Sequence, residues 1–170
     1  MKWIGVILIL FTCTWVGLER SNKYRGRTKQ IRECIQALQL MEAEMSYGKV
    51  PIQGLFEILT EQLSKPVSTF FEEMSGRMAK TNQPLQHVWT ETLEHSKNRL
   101  ALTKKDLHIL HQFGHSLGMH DLIQQKKQIE LASIHLHRQL NEAIEEERRF
   151  AGMSRTLGFL TGILIVLILI

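Results

Sequence analysis

Leu157-Gly-Phe-Leu-Thr-Gly-Ile-Leu-Ile-Val-Leu-Ile-Leu-Ile170 is apolar around its whole helical circumference, and no ionisable side chain follows Arg155. A globular fold cannot hide such a run at a terminus. At roughly −0.5 kcal/mol for each of its eleven large apolar residues, transfer into lipid is favoured by about 5 kcal/mol before the cost of Gly and Thr. Counted from Thr156, the helix spans about 22 Å against roughly 30 Å of hydrocarbon. Bilayer thinning and snorkelling of Arg155 close that gap at modest cost. Residues 156–170 are therefore expected to form a membrane helix.

The other end repeats the pattern. Trp3 to Leu18 is uncharged and broken only by Gly5, Thr12, Thr14 and Gly17. Thr hydroxyls bond back to the preceding helical turn, so they are cheap in lipid. Lys2 before an apolar run also suits a cleaved secretory signal, but no small-x-small cleavage site follows. The far flank carries Arg20, Lys23, Arg25, Arg27, Lys29 and Arg32 against Lys2 alone, and Arg148, Arg149 and Arg155 precede the second run. Positive flanks stay in the cytoplasm. The expected layout is a membrane helix over 1–18, a cytoplasmic domain over 19–155 and a second membrane helix over 156–170, with both termini outside.

Lys and Arg number 21 against 17 Asp and Glu, and the surplus of +4 lies beside the membrane runs. Basic residues there meet anionic lipid headgroups. Nucleic acid is not an expected partner, because no aromatic interleaving or recognised motif accompanies Arg20–Arg32. Cys13 falls in the first membrane run and Cys34 beyond it, so they are not expected to pair.

Between the runs every pattern is helical. Ile31, Ile35, Leu38, Met41 and Met45 step by four and three, and Tyr47-Gly48-Lys49-Val50-Pro51 stops the helix. With no Pro between Leu18 and Tyr47, the membrane helix is free to run on into this one. Further stripes are Ile52, Leu55, Phe56, Leu59, Leu63; Val67, Phe70, Phe71, Met74, Met78; and Leu85, Val88, Trp89, Leu93. Thr103 and Asp106 form a capping box that opens Leu107, Leu110, Phe113, Leu117. Gly114, Gly118 and Met119-His120-Asp121 signal a tight connection, after which Leu122, Ile129, Leu136, Ala143 and Phe150 recur every seven residues. No alternating strand pattern occurs. The expected fold is all-α, an antiparallel bundle of about six helices whose first and last extend into the membrane.

Chemistry is sparse. His108, His111 and His115 are spaced for one helix face. No Glu completes a His-Glu-x-x-His motif and Gly114 interrupts them, so they read as the edge of a packed helix with no metal. There is no phosphate loop, nucleophile elbow or dinucleotide fingerprint. The runs Glu72-Glu73 and Glu145-Glu146-Glu147 read as solvated faces. No catalytic group and no cofactor is expected. Gly158-x-x-x-Gly162 and the looser Cys13-x-x-x-Gly17 are small-residue packing motifs, so the two membrane helices are expected to touch there.

Glu42-x-Glu44-Met45-x-Tyr47-Gly48-x-x-Pro51, then Phe113-Gly114-x-x-Leu117-Gly118-x-x-Asp121, then Leu157-Gly158 opening the last apolar run, together resemble the stage III sporulation protein AB family. The resemblance covers essentially the whole chain. Met45 stands in place of Ile and Ile52 in place of Leu, both volume-conserving. What the resemblance implies is a component of the membrane complex joining mother cell and forespore in endospore-forming bacteria. Its cytoplasmic part is similar to the platform protein F of type II secretion and type IV pilus machines. The implied role is a membrane-anchored adaptor with no chemistry of its own. Its partners are a cytoplasmic secretion-type ATPase, the companion stage III sporulation protein AA, and other membrane components of the complex. On that reading Glu42, Glu44, Tyr47 and Asp121 are the candidate partner-binding residues. The alternative is a homo-oligomeric membrane-tethered scaffold, self-associating through the seven-residue stripe from Leu122 to Phe150.

Overall fold

The computed structural model describes residues 2–47, 52–118 and 122–151, with side-chain surroundings for 22–46, 54–118 and 123–150. Among these residues the fold is all-α and has no strand. The helices are α1 (Lys2–Tyr47), α2 (Ile52–Gln62), α3 (Val67–Met78), α4 (Leu85–Ser96), α5 (Lys104–Ser116) and α6 (Leu122–Glu146), closed by a π-helical turn at Glu147–Ala151. α1 runs unbroken for 46 residues, so Gly17 and Gly26 do not interrupt it.

Contacts divide the chain into two compact units, Met1–Thr28 with Glu142–Ile170, and Lys29–Asn141. In the larger unit the expected stripes are the core. Ile31, Ile35, Leu38 and Met41 of α1 are buried, as are Leu55, Phe56 and Leu59 of α2, and Val67, Phe70, Phe71 and Met74 of α3. Val88, Trp89 and Leu93 of α4, Leu110 and Phe113 of α5, and Ile129, Ala132 and Leu136 of α6 complete it. Each such side chain contributes roughly 1.5–3 kcal/mol relative to exposure. The short connections pack α2 on α3, α3 on α4 and α4 on α5.

Two connections are fastened to α1. Ser64 donates both its backbone N–H (2.9 Å) and its hydroxyl to the Glu33 carboxylate, which holds the α2–α3 turn. The Gln30 side-chain oxygen accepts from the Ala101 N–H at 2.7 Å and holds the α4–α5 connection. The capping box at the start of α5 forms as expected. Asp106 accepts from the Thr103 N–H at 2.8 Å, and the Thr103 hydroxyl accepts from Asp106 N. The Asp106 carboxylate is fully buried, at a helix N-terminus where negative charge is favoured.

Cys34 is buried against a small, wholly apolar cavity that it shares with Leu38, Phe70, Trp89 and Leu110. Burial, reinforced by the Asp106 and Glu33 charges, pushes its thiol from the ordinary 9.0 up to about 12. A raised acid leaves stability untouched below pH 9 and erodes it as pH climbs toward the folded value, because only the unfolded chain ionises freely there. The thiolate is the reactive form. In a Cys13→Ser background, maleimide should label Cys34 only after unfolding. Rapid labelling of the native protein would contradict the packing.

The smaller unit pairs the part of α1 up to Thr28 with the end of α6. Arg27, its side chain 6% exposed, donates to the Glu146 carboxylate at 2.6 Å. The Thr28 hydroxyl donates to the Ala143 carbonyl, and Tyr24 stacks on Phe150 with ring centres 5.7 Å apart. The seven-residue stripe of α6 fails at its end: Ile129, Leu136 and Ala143 are buried but Phe150 is 37% exposed. A 3.6-residue helix drifts about 20° per heptad, roughly 80° over four, and the π-helical turn adds a further residue before Phe150.

Candidate functional site

The candidate docking residues of α1 occupy its last two turns. Successive helical residues turn by about 100°, which sets Glu42 on one flank of the buried Met41 and Glu44 on the other, with Tyr47 beyond Glu44. Glu42 is exposed and Glu44 half-buried. Tyr47 is the final residue of α1, and its side chain is not described. Asp121 and Gly48–Pro51 lie outside the described residues.

Electrostatically this helix end is unusual. The last turn carries no basic residue. Carboxylates near a helix C-terminus oppose the macrodipole by about 0.3–1 kcal/mol each. Neither Glu42 nor Glu44 is in an ion pair among the described residues. The Glu42 backbone carbonyl accepts from the Ser46 hydroxyl at 2.7 Å.

The second signature stretch has a packing explanation. Phe113 is buried with its ring 5.5 Å from Trp89. At Gly114 an added Cβ would lie 2.0 Å from Trp89 Cδ1 and 2.4 Å from Nε1. Trp89 Nε1 donates to the Leu110 carbonyl at 2.9 Å, which fixes the indole against that bare stretch of α5. Leu117 is buried, and its carbonyl accepts from the Gln86 side-chain N–H at 2.7 Å. Gly118 sits at φ +75°, the left-handed conformation that favours glycine after a helix end. Gly114 is thus a close-approach position inside α5, correcting its reading as a weak point or part of the turn. The signal lay in a Gly within an otherwise strong helical stripe, opposite a helix carrying a Trp.

Of the basic flank, Lys23, Arg25, Lys29 and Arg32 are exposed, whereas Arg27 is buried and engaged with Glu146. Gly158 and Gly162 lie outside the described residues, and of Cys13 and Gly17 only the helical backbone is described. Among the described residues no helix is long and apolar enough to cross a membrane.

Of the three histidines, His108 and His115 are exposed and His111 is half-buried. The His111 and His115 rings lie together with centres 4.6 Å apart and planes at 76°. His108 and His111 line a surface cavity with Leu93, Glu94, Lys97 and Leu107. Lys97 bonds Glu94 at 2.6 Å, and that hydrogen bond and charge hold the Glu94 carboxyl below its usual range. Among the described residues no group of three or more His, Cys, Asp or Glu is placed to hold a metal ion.

Six helices among the described residues, with connections bound back to the first and an aromatic centre shared by α3, α4 and α5, place the chain among all-α helical-bundle proteins. The family model of stage III sporulation protein AB matches residues 2–170. Stage III sporulation protein AB of Bacillus subtilis (strain 168) is 36% identical over 169 residues, 99% of each chain. A solved structure of stage III sporulation protein AB is 35% identical, with a TM-score of 0.70, over 73% of this chain and 98% of that one. The chain belongs to the stage III sporulation protein AB family of sporulation proteins.

Proposed function

We propose that the protein is a membrane-anchored structural adaptor of a secretion-like channel between mother cell and forespore. The two apolar runs anchor it in the mother-cell membrane around the forespore as a two-pass protein, with both termini outside. The helical bundle faces the cytoplasm, and Lys23, Arg25, Lys29 and Arg32 meet anionic headgroups. The bundle performs no chemistry; it docks a cytoplasmic secretion-type ATPase, the companion stage III sporulation protein AA, and links it to other membrane components of the complex.

The observation that carries this reading is the family match over residues 2–170, which takes in both apolar runs as well as the bundle. Beside it stand the exposed Glu42 and half-buried Glu44 near the end of α1, neither in an ion pair among the described residues, which suit a basic partner surface. In the double variant Glu42→Lys/Glu44→Lys, co-purification of the ATPase from detergent extracts of sporulating cells should be lost. Helix content should be unchanged, since neither side chain belongs to the core. Undiminished co-purification would remove these residues from the interface.

The homo-oligomeric scaffold is the second reading. Its expected seam is spent within the chain, because Ile129, Leu136 and Ala143 are buried. What remains in its favour is a different face of α6, where Ile123 and Ile134 are 79% and 57% exposed.

A further inference from the structure

We propose that His111 and His115 form a two-ligand site for a borderline divalent transition metal of the zinc, nickel or copper class. The pair stands one turn apart on α5, and its rings are already brought together at the surface. A metal about 2.0–2.1 Å from an imidazole nitrogen lies about 3.2 Å from the ring centre, so two ligands at roughly 90–110° have centres about 4.5–5.2 Å apart. The observed separation of 4.6 Å falls within that interval. Burial does not impose this apposition: His115 is exposed and His111 only half-buried.

The surroundings define what kind of site it is. Imidazole suits zinc, copper and nickel, whereas magnesium and calcium demand oxygen ligands that this face does not supply. Glu94, which lines the adjoining cavity, is held by Lys97 at 2.6 Å and is not offered as a ligand. His108 and His111 both line that cavity, and the ring contact is between His111 and His115. Two protein ligands leave at least two positions of a tetrahedral ion to water, so the ion is exchangeable rather than structural. The adaptor role does not enter this argument, and the site stands or falls without it.

Isothermal titration of the detergent-solubilised full chain with zinc chloride, and separately with nickel chloride, tests the site at neutral pH. The chain has eight histidines, so the comparison between variants is the decisive reading. Wild type should take up a saturable equivalent that His115→Ala weakens by at least about tenfold, the scale on which even outer-shell changes act. His111→Asn should weaken the same equivalent, and His108→Ala should leave it intact. Absence of saturable uptake by wild type overturns the proposal. So does wild-type affinity in both His115→Ala and His111→Asn. Loss on His108→Ala also overturns it, because the ligand set would then be a different one. Circular dichroism of each variant confirms that the surface replacements leave the helices in place.

Discussion

Gly114→Ala is expected to destabilise the protein by about 1–3 kcal/mol or more, the cost of overpacking a well-filled core. The sign is the informative part. At an ordinary helix-interior position the same change gains about 1 kcal/mol, because alanine loses less backbone entropy on folding. Here the new methyl would enter the Trp89 indole, 2.0 Å from Cδ1 and 2.7 Å from Cγ. The ring has little room to yield: it is bonded to the Leu110 carbonyl and meets Phe70 edge-on at 5.0 Å and Phe113 at 5.5 Å. Denaturant unfolding of the full chain in detergent, followed by near-UV circular dichroism, measures the effect. An alanine variant as stable as wild type would mean that α4 and α5 are not packed in this way.

Trp89→Ala should cost about 3–5 kcal/mol, the usual range for removing a large aromatic from a core. Trp89 is 2% exposed and contacts three aromatic rings, so its loss leaves a cavity lined by Phe70, Phe71 and Phe113. The two substitutions should not add. With the indole gone, the methyl at Gly114 has space, and Gly114→Ala should become neutral or stabilising in the Trp89→Ala background. The coupling in the double-mutant cycle is expected at about 1–3 kcal/mol, as for residues in contact. Simple additivity would break the link between them.

How much of this was legible from residues alone follows from the range of each interaction. Helix ends are written locally: Thr103 and Asp106 cap α5. Stripes such as Ile31, Ile35, Leu38 and Met41 give the buried face because side-chain period and helix period agree. Gly114 escaped because its meaning depends on Trp89, 25 positions earlier on another helix. The tethers from Glu33 to Ser64 and from Gln30 to Ala101 span 31 and 71 residues, and nothing local announces either. Phe150 was misplaced because a strict seven-residue count ignores helical drift. For the docking surface, the sequence supplied the residues Glu42, Glu44 and Tyr47, and the two-residue spacing of Glu42 and Glu44 already keeps them from facing the same core. The ring contact of His111 with His115 depends on ring orientation, which spacing does not encode.

The Arg27–Glu146 pair has a consequence for biosynthesis. Its partners are 119 residues apart. At about 5–20 residues per second, a translating ribosome takes roughly 6–24 s to reach the acid after it has passed the base. Throughout that interval the guanidinium of the nascent chain has no Glu146 to neutralise it. The junction it closes is therefore completed only after the helices between its two partners have been made.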